Sequence, residues 1–297
     1  KKLPKDLRVG IDSRPLLGAG RVEDTFNLLG HAARKIVGCV AATTGLDFDD
    51  ICHAAGIPLL LFPSIKAGLD VNWNEPAQRD IALNILIDQV ASLHRWLFQN
   101  GASSDDLMQK YIDAVAQVHD QDIEEAKDGR AHLRQGVAPD RRISIEDDTM
   151  RHGRKSKSKR FDGYKEHIAA DLDSDLILAC AVTPANRPEE EAAPELQNDM
   201  QRQKVKIREL AIDRAYINSS LVDDVEADGG DVVCKPWSGR NSRKNMFNKT
   251  DFKIDMRSNT ITCPLGQVEH FEPRQTVEFA PEICGSCPLR GDPQRRL

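Results

Sequence analysis

Ile207-Arg208-Glu209-Leu210-Ala211-Ile212-Asp213-Arg214-Ala215-Tyr216 decides how the rest of the chain is read. Ile207, Leu210 and Ile212 are the apolar side chains of a short buried strand, and an acid, Asp213, stands where the apolar run stops. An open α/β sheet presents functional side chains in this way, at the carboxyl ends of its strands. The same aspartate also suits a helix N-cap, because Ile217-Asn218-Ser219-Ser220-Leu221 can continue as a helix. A second carboxylate nearby would favour the first reading.

Leu7-Arg8-Val9-Gly10-Ile11-Asp12-Ser13 repeats the pattern, a short apolar strand ending in an aspartate. If the two strands are neighbours, roughly 4.8 Å apart, Asp12 and Asp213 fall on one edge of the sheet. Two carboxylates there can share a hard divalent cation, Mg2+ or Mn2+. A pair of such ions about 3.5–4 Å apart activates a water or a 3′-hydroxyl and stabilises the leaving oxygen at phosphorus. The loop from Pro15 to Thr25 carries Gly18 and Gly20 but no Gly-Lys-Ser/Thr ending, which argues against a nucleotide cradle.

From Asp24 to about Gly129 the apolar residues recur at helical spacing. Helices are expected over Thr25 to Thr44, over Phe48 to Ala55, and after Pro76, where Ile81, Leu83, Leu86, Val90, Leu93 and Leu97 form a stripe. Ser103-Ser104-Asp105-Asp106 caps another through Met108, Tyr111, Ile112, Val115 and Val118. This is a helical insertion after the first strand. His94, His119 and His132 lack ligand spacing and read as surface or packing residues.

After Pro139 the chain turns charged. Arg151 to Arg160 reads as a basic, solvated loop that could contact phosphate, and it leads into Phe161-Asp162-Gly163-Tyr164-Lys165-Glu166-His167. Lys165 to Ala170 and Leu176 to Thr183 form a β-hairpin with an acidic turn; Glu189 to Gln203 is a helix whose acidic first turn suits its dipole. Val232-Val233-Cys234 is a further strand. The expected fold is α/β, a mixed sheet with a large helical insertion after the first strand and a Cys-containing tail. We divide it at 1–23, 24–138, 139–240 and 241–297.

A net charge of −6 excludes a chain that is basic throughout, although a local basic face would serve nucleic acid equally well. No run approaches the roughly 18 apolar residues of a membrane span, so we expect a soluble, cytoplasmic protein with no membrane partner. Seven cysteines, an odd number, argue against a disulfide framework; Cys39, Cys52, Cys180 and Cys234 read as core residues. Cys263 with Cys284-Gly285-Ser286-Cys287 suggests a zinc site with three thiolates, to which His270 could add a fourth ligand.

Several motifs in order resemble the DDE transposases of bacterial insertion sequences, which have a ribonuclease-H-like core. They are Gly10-Ile11-Asp12-Ser13 with Gly18 to Thr25, Arg154-Lys155 through Phe161 to His167, and Val182-Thr183-Pro184-Ala185-Asn186. Ile212-Asp213-Arg214-Ala215-Tyr216, Thr262-Cys263-Pro264 and Cys287-Pro288-Leu289-Arg290 complete the set. The resemblance implies metal-dependent cleavage and transfer of DNA strands, with double-stranded DNA of transposon ends and target as partner and a homodimer in the complex. It implies Asp12 and Asp213 as metal ligands, with Asp147, at the end of Ser144-Ile145-Glu146-Asp147, as the alternative to Asp12. Lys155, Lys157, Arg160, Tyr164, Lys165, Arg214, Trp237 and Arg240 are the expected DNA contacts. The family's third acid, a Glu on a later helix, has no counterpart here, since Glu269, Glu272, Glu278 and Glu282 lie in a Pro- and Cys-rich stretch. We therefore read the chain as truncated; a relic that binds DNA or a full-length transposase without cutting stays open, as does a structural zinc module.

Overall fold

Leu7, Val9 and Ile11 alternate with Arg8, Gly10 and Asp12, and this period of two makes β1 (Asp6–Leu17) a strand with one buried face. The computed structural model describes residues 6–101, 105–126, 129–235, 247, 249–272 and 275–291. The chain forms two units, Lys1–Cys234 and Lys235–Leu297.

In the first unit, β1 is followed by α1 (Thr25–Thr44), α2 (Phe48–Ala54), α3 (Pro76–Gln99) and α4 (Asp106–Asp122), close to the helices expected from periodicity. Asp24 caps α1 by accepting from Asn27 N, and Asp105 caps α4 by accepting from Met108 N. Leu28, Ile36, Leu83, Leu86, Leu93 and Val118 are fully buried in the core of this module. Each contributes about 1.5–3 kcal/mol by leaving water. A short ribbon, β2 (Ile123–Glu125) with β3 (Ala131–Leu133), follows. Buried Asp122 closes the module by accepting from Thr25 Oγ1 at 2.8 Å and from two Arg141 nitrogens at 2.8 and 2.7 Å.

The chain then completes the sheet with β4 (Arg151–Arg154), β5 (Arg160–Asp171), β6 (Ile177–Pro184), α5 (Ala193–Arg202), β7 (Lys206–Ile212), α6 (Ser220–Ala227) and β8 (Asp231–Cys234). The strand order is β6-β5-β1-β7-β8, with β4 pairing the Arg160 end of β5 beside β6. β1 runs antiparallel to β5, from Val9 opposite Asp171 to Leu17 opposite Gly163, and parallel to β7. The result is a mixed sheet, as expected. Leu7, Val9, Ile11, Leu210 and Ile212 pack on one face against Leu196 and Met200 of α5 and Leu221, Val222 and Val225 of α6.

Three expectations change. Asp12 is not at a strand tip, because β1 continues to Leu17 along β5; only its pairing with β7 stops, at Ile11 opposite Ile212. The basic run is not all loop, because Arg151 to Arg154 pairs with Arg160 to Gly163. Arg151 can be buried there since Asp140 accepts from it at 2.9 Å. Cys180 is exposed rather than core, on the outer face of an edge strand, whereas Cys52 is buried.

In the second unit, β9 (Lys253–Asp255), β10 (Thr260–Thr262) and β11 (Val268–His270) form an antiparallel sheet, and α7 (Pro281–Gly285) follows. Phe252 packs near Phe247 and Phe279, with ring centroids 6.2 and 5.8 Å away. Among the described residues no helix is long and apolar enough to cross a membrane.

Candidate active site

The β1–β7 ladder ends at Ile11 opposite Ile212, so the next residue on each strand, Asp12 and Asp213, emerges at the same level of the sheet. Both carboxylates are exposed. Each is oriented by the backbone that follows it: Ser13 N donates to Asp12 Oδ1 at 2.8 Å, and Arg214 N donates to Asp213 Oδ1 at 2.6 Å. Asp213 thereby caps a 3-10 turn, Arg214–Tyr216, that ends the strand. Asp213 is at the strand end as expected, but it does not cap the expected helix: α6 starts at Ser220, with Ser219 in the N-cap position.

The two acids open into one cleft of about 330 Å³. Glu189 is the third carboxylate on its wall, and Arg14, Arg154, Lys155 and Lys165 are its cations. Arg14 Nε donates to Glu166 Oε2 at 2.7 Å, which favours the guanidinium's charge and lowers the Glu166 carboxyl. Lys165 Nζ donates to Arg187 O at 2.7 Å and lies 3.8 Å from Glu189 Oε1, with only 15% of its side chain exposed. It is tied into the wall rather than extended from it. Glu189 opens a 3-10 turn, Glu189–Ala192, just before α5. Sequence reasoning took it only as a complement to the helix dipole; the signal that could have found it is its closeness in sequence to the end of the hairpin at β6.

Asp147 does not line this cleft. Its Oδ1 accepts from the Tyr164 hydroxyl, from Thr149 N and Oγ1 at 3.3 and 3.2 Å, and from Met150 N at 3.2 Å. Burial works to raise this carboxyl, but those hydrogen bonds together hold it below the usual range. A Cβ on Gly20 would come within 2.8 Å of Asp147 Cβ, so Asp147 lies against the loop that follows β1. Tyr164, expected at DNA, spends its hydroxyl on Asp147 and Thr149.

Arg154, Lys155, Lys157 and Arg160 are exposed on the turn between β4 and β5, closed by Lys155 N donating to Lys159 O at 2.9 Å. Arg214 is half-buried in the turn after Asp213. Trp237 and Arg240 lie outside the described residues.

The donor set suits Mg2+ or Mn2+, since a hard ion of this kind is held by one or two carboxylates and completes its shell with waters and substrate phosphate. Among the described residues no three His, Cys, Asp or Glu side chains gather where a metal ion could sit. Cys263 follows β10, Cys284 lies in α7 and Cys287 follows that helix, and each is half-buried.

Residues 138–279 match the family described as Transposase DDE domain. The match takes in Asp147, Glu189 and Asp213 and begins after Asp12. No curated protein matches the chain.

Proposed function

We propose, from the match of residues 138–279 to the family described as Transposase DDE domain, that the chain cleaves and transfers DNA strands at insertion-sequence ends, with Asp12 and Asp213 as ligands of a divalent cation. The observation that supports this most is the register of Ile11 with Ile212, which delivers two carboxylates to one cleft. The strand order β6-β5-β1-β7-β8, with β5 antiparallel to β1 and β7 parallel, supports a ribonuclease-H-like core.

A bound Mg2+ or Mn2+ would polarise a water or the DNA's own 3′-hydroxyl and neutralise charge at phosphorus. The chain's own residues bind and orient. Asp12 and Asp213 hold the cation with carboxylates turned by Ser13 N and Arg214 N. Arg14, Arg154 and Lys155 draw the phosphate into the cleft, and Lys157 and Arg160 extend the positive surface along the duplex. A second protomer would pair the two transposon ends. A non-cleaving DNA binder is the second reading, favoured by the exposed cations Lys155, Lys157 and Arg160 on the β4–β5 turn, which can hold a duplex without any cation in the cleft.

Calorimetry with Mn2+ on the wild type, Asp12→Asn, Asp213→Asn and Asp147→Asn tests the ligand assignment. We expect the first two substitutions to abolish binding and Asp147→Asn to retain it. Loss in Asp147→Asn with no effect of Asp12→Asn would replace the first ligand. Nicking of a duplex bearing the element's ends, with Mn2+ present, separates the enzyme from the non-cleaving binder.

A further inference from the structure

Behind the two carboxylates runs a buried polar chain that cation binding does not itself require. His167 of β5 sits opposite Ser13 of β1 and is fully buried. Its Nδ1 lies 2.6 Å from the Tyr216 hydroxyl and its Nε2 lies 2.9 Å from Thr183 Oγ1. The Ser13 side chain lies beside the Tyr216 hydroxyl and works to lower it. The His167 and Tyr216 rings meet edge to face, with centroids 5.9 Å apart.

Burial pushes His167 down to about 4, so the imidazole is neutral near pH 7. A neutral imidazole donates from one nitrogen and accepts at the other. Hydrogen bonds can then run from Tyr216 through His167 to Thr183, or in the reverse sense. Removing one member leaves a buried polar neighbour without its partner.

The chain's two landmarks are the flanks of the metal ligands. Ser13 follows Asp12 directly, and Tyr216 is one turn beyond Asp213, its N–H donating to Asp213 O at 3.0 Å. The β1–β7 ladder stops at Ile11 and Ile212 and does not join these two segments. His167 spans that gap: it pairs with Ser13 in the β1–β5 register, bonds Tyr216 beside the Ser13 side chain, and is anchored to β6 by Thr183.

We propose that Ser13, Tyr216, His167 and Thr183 are positioning residues that set the separation of Asp12 and Asp213, and through it the affinity of the cleft for a divalent cation. The proposal rests on the two-carboxylate reading above.

The test is Mn2+ calorimetry at pH 7 on the intact chain, with circular dichroism and thermal melting of every variant. Tyr216→Phe and Ser13→Ala should each weaken Mn2+ binding about tenfold, the size of losses when a ligand's supporting partner is removed. Ser13→Thr, which keeps the hydroxyl, should bind as the wild type does. A lower melting temperature with wild-type Mn2+ affinity in both Tyr216→Phe and Ser13→Ala would reduce the chain to a structural feature and overturn the proposal. If Tyr216→Phe does not fold, Ser13→Ala decides alone. Asp12→Asn separates the two levels: if the wild type fails to bind Mn2+, or Asp12→Asn binds equally well, the ligand assignment falls and the proposal with it.

Discussion

His167 couples the stability of the first unit to pH. Its folded value is about 4 against an ordinary 6.5, because burial disfavours the imidazolium. Above pH 6.5 both folded and unfolded chains carry it neutral, and it costs nothing. As pH falls towards 4 the unfolded state takes up a proton that the folded state refuses, so stability declines by on the order of 3 kcal/mol and levels off below. Denaturant unfolding of the wild type and His167→Gln at several pH values checks this: the gap between them should narrow or reverse on acidification. At this scale the sequence spoke unevenly. Asp12 and Asp213 were legible because each ends an apolar run. The pairing of His167 with Tyr216 was not, because periodicity assigns a face to a residue but cannot name a partner 49 positions away. Glu189 was legible as an acid at a helix start, and only the path of the chain after β6 brings it into the cleft.

The four helices between β1 and the ribbon follow their apolar stripes closely, since burying such a stripe is what stabilises a helix of this length. β4 was not legible because four positions with two arginines and a histidine read as solvent-exposed, and a buried Arg151 needs Asp140, which lies outside the run. The β4–β5 turn is where we expect duplex DNA to feel the protein. Replacing Lys155, Lys157 and Arg160 with serine should weaken binding across sequences and flatten the dependence of log affinity on log salt by about one for each phosphate no longer neutralised. Fluorescence anisotropy between about 50 and 200 mM salt measures that slope. Gly163 tests how closely β5 and the end of β1 are fitted. Its φ is +140°, and a Cβ there would lie 2.2 Å from Gly18 N and 2.5 Å from Leu16 O. Gly163→Ala should therefore cost several kcal/mol, read as a lowered denaturation midpoint.

Across the whole molecule, the residues lining the cleft lie between Asp12 and Asp213, all within the first unit. A fragment ending at Lys235 should fold and bind Mn2+ as tightly as the full chain, which calorimetry on the two side by side would check. The mixed sheet was legible as a class, but its order was not, because the strands that flank β1 are supplied only after the helical module has been traversed. That detour has a consequence in time. During synthesis at roughly 5–20 residues per second, β1 leaves the ribosome on the order of ten to forty seconds before β7. In that interval the helical module can consolidate its own core, while β1 waits first for β5 to pair with and then for α5 and α6 to cover its apolar face. The cleft therefore begins with some of the first residues made, Asp12 to Pro15, and is completed only when Asp213 emerges.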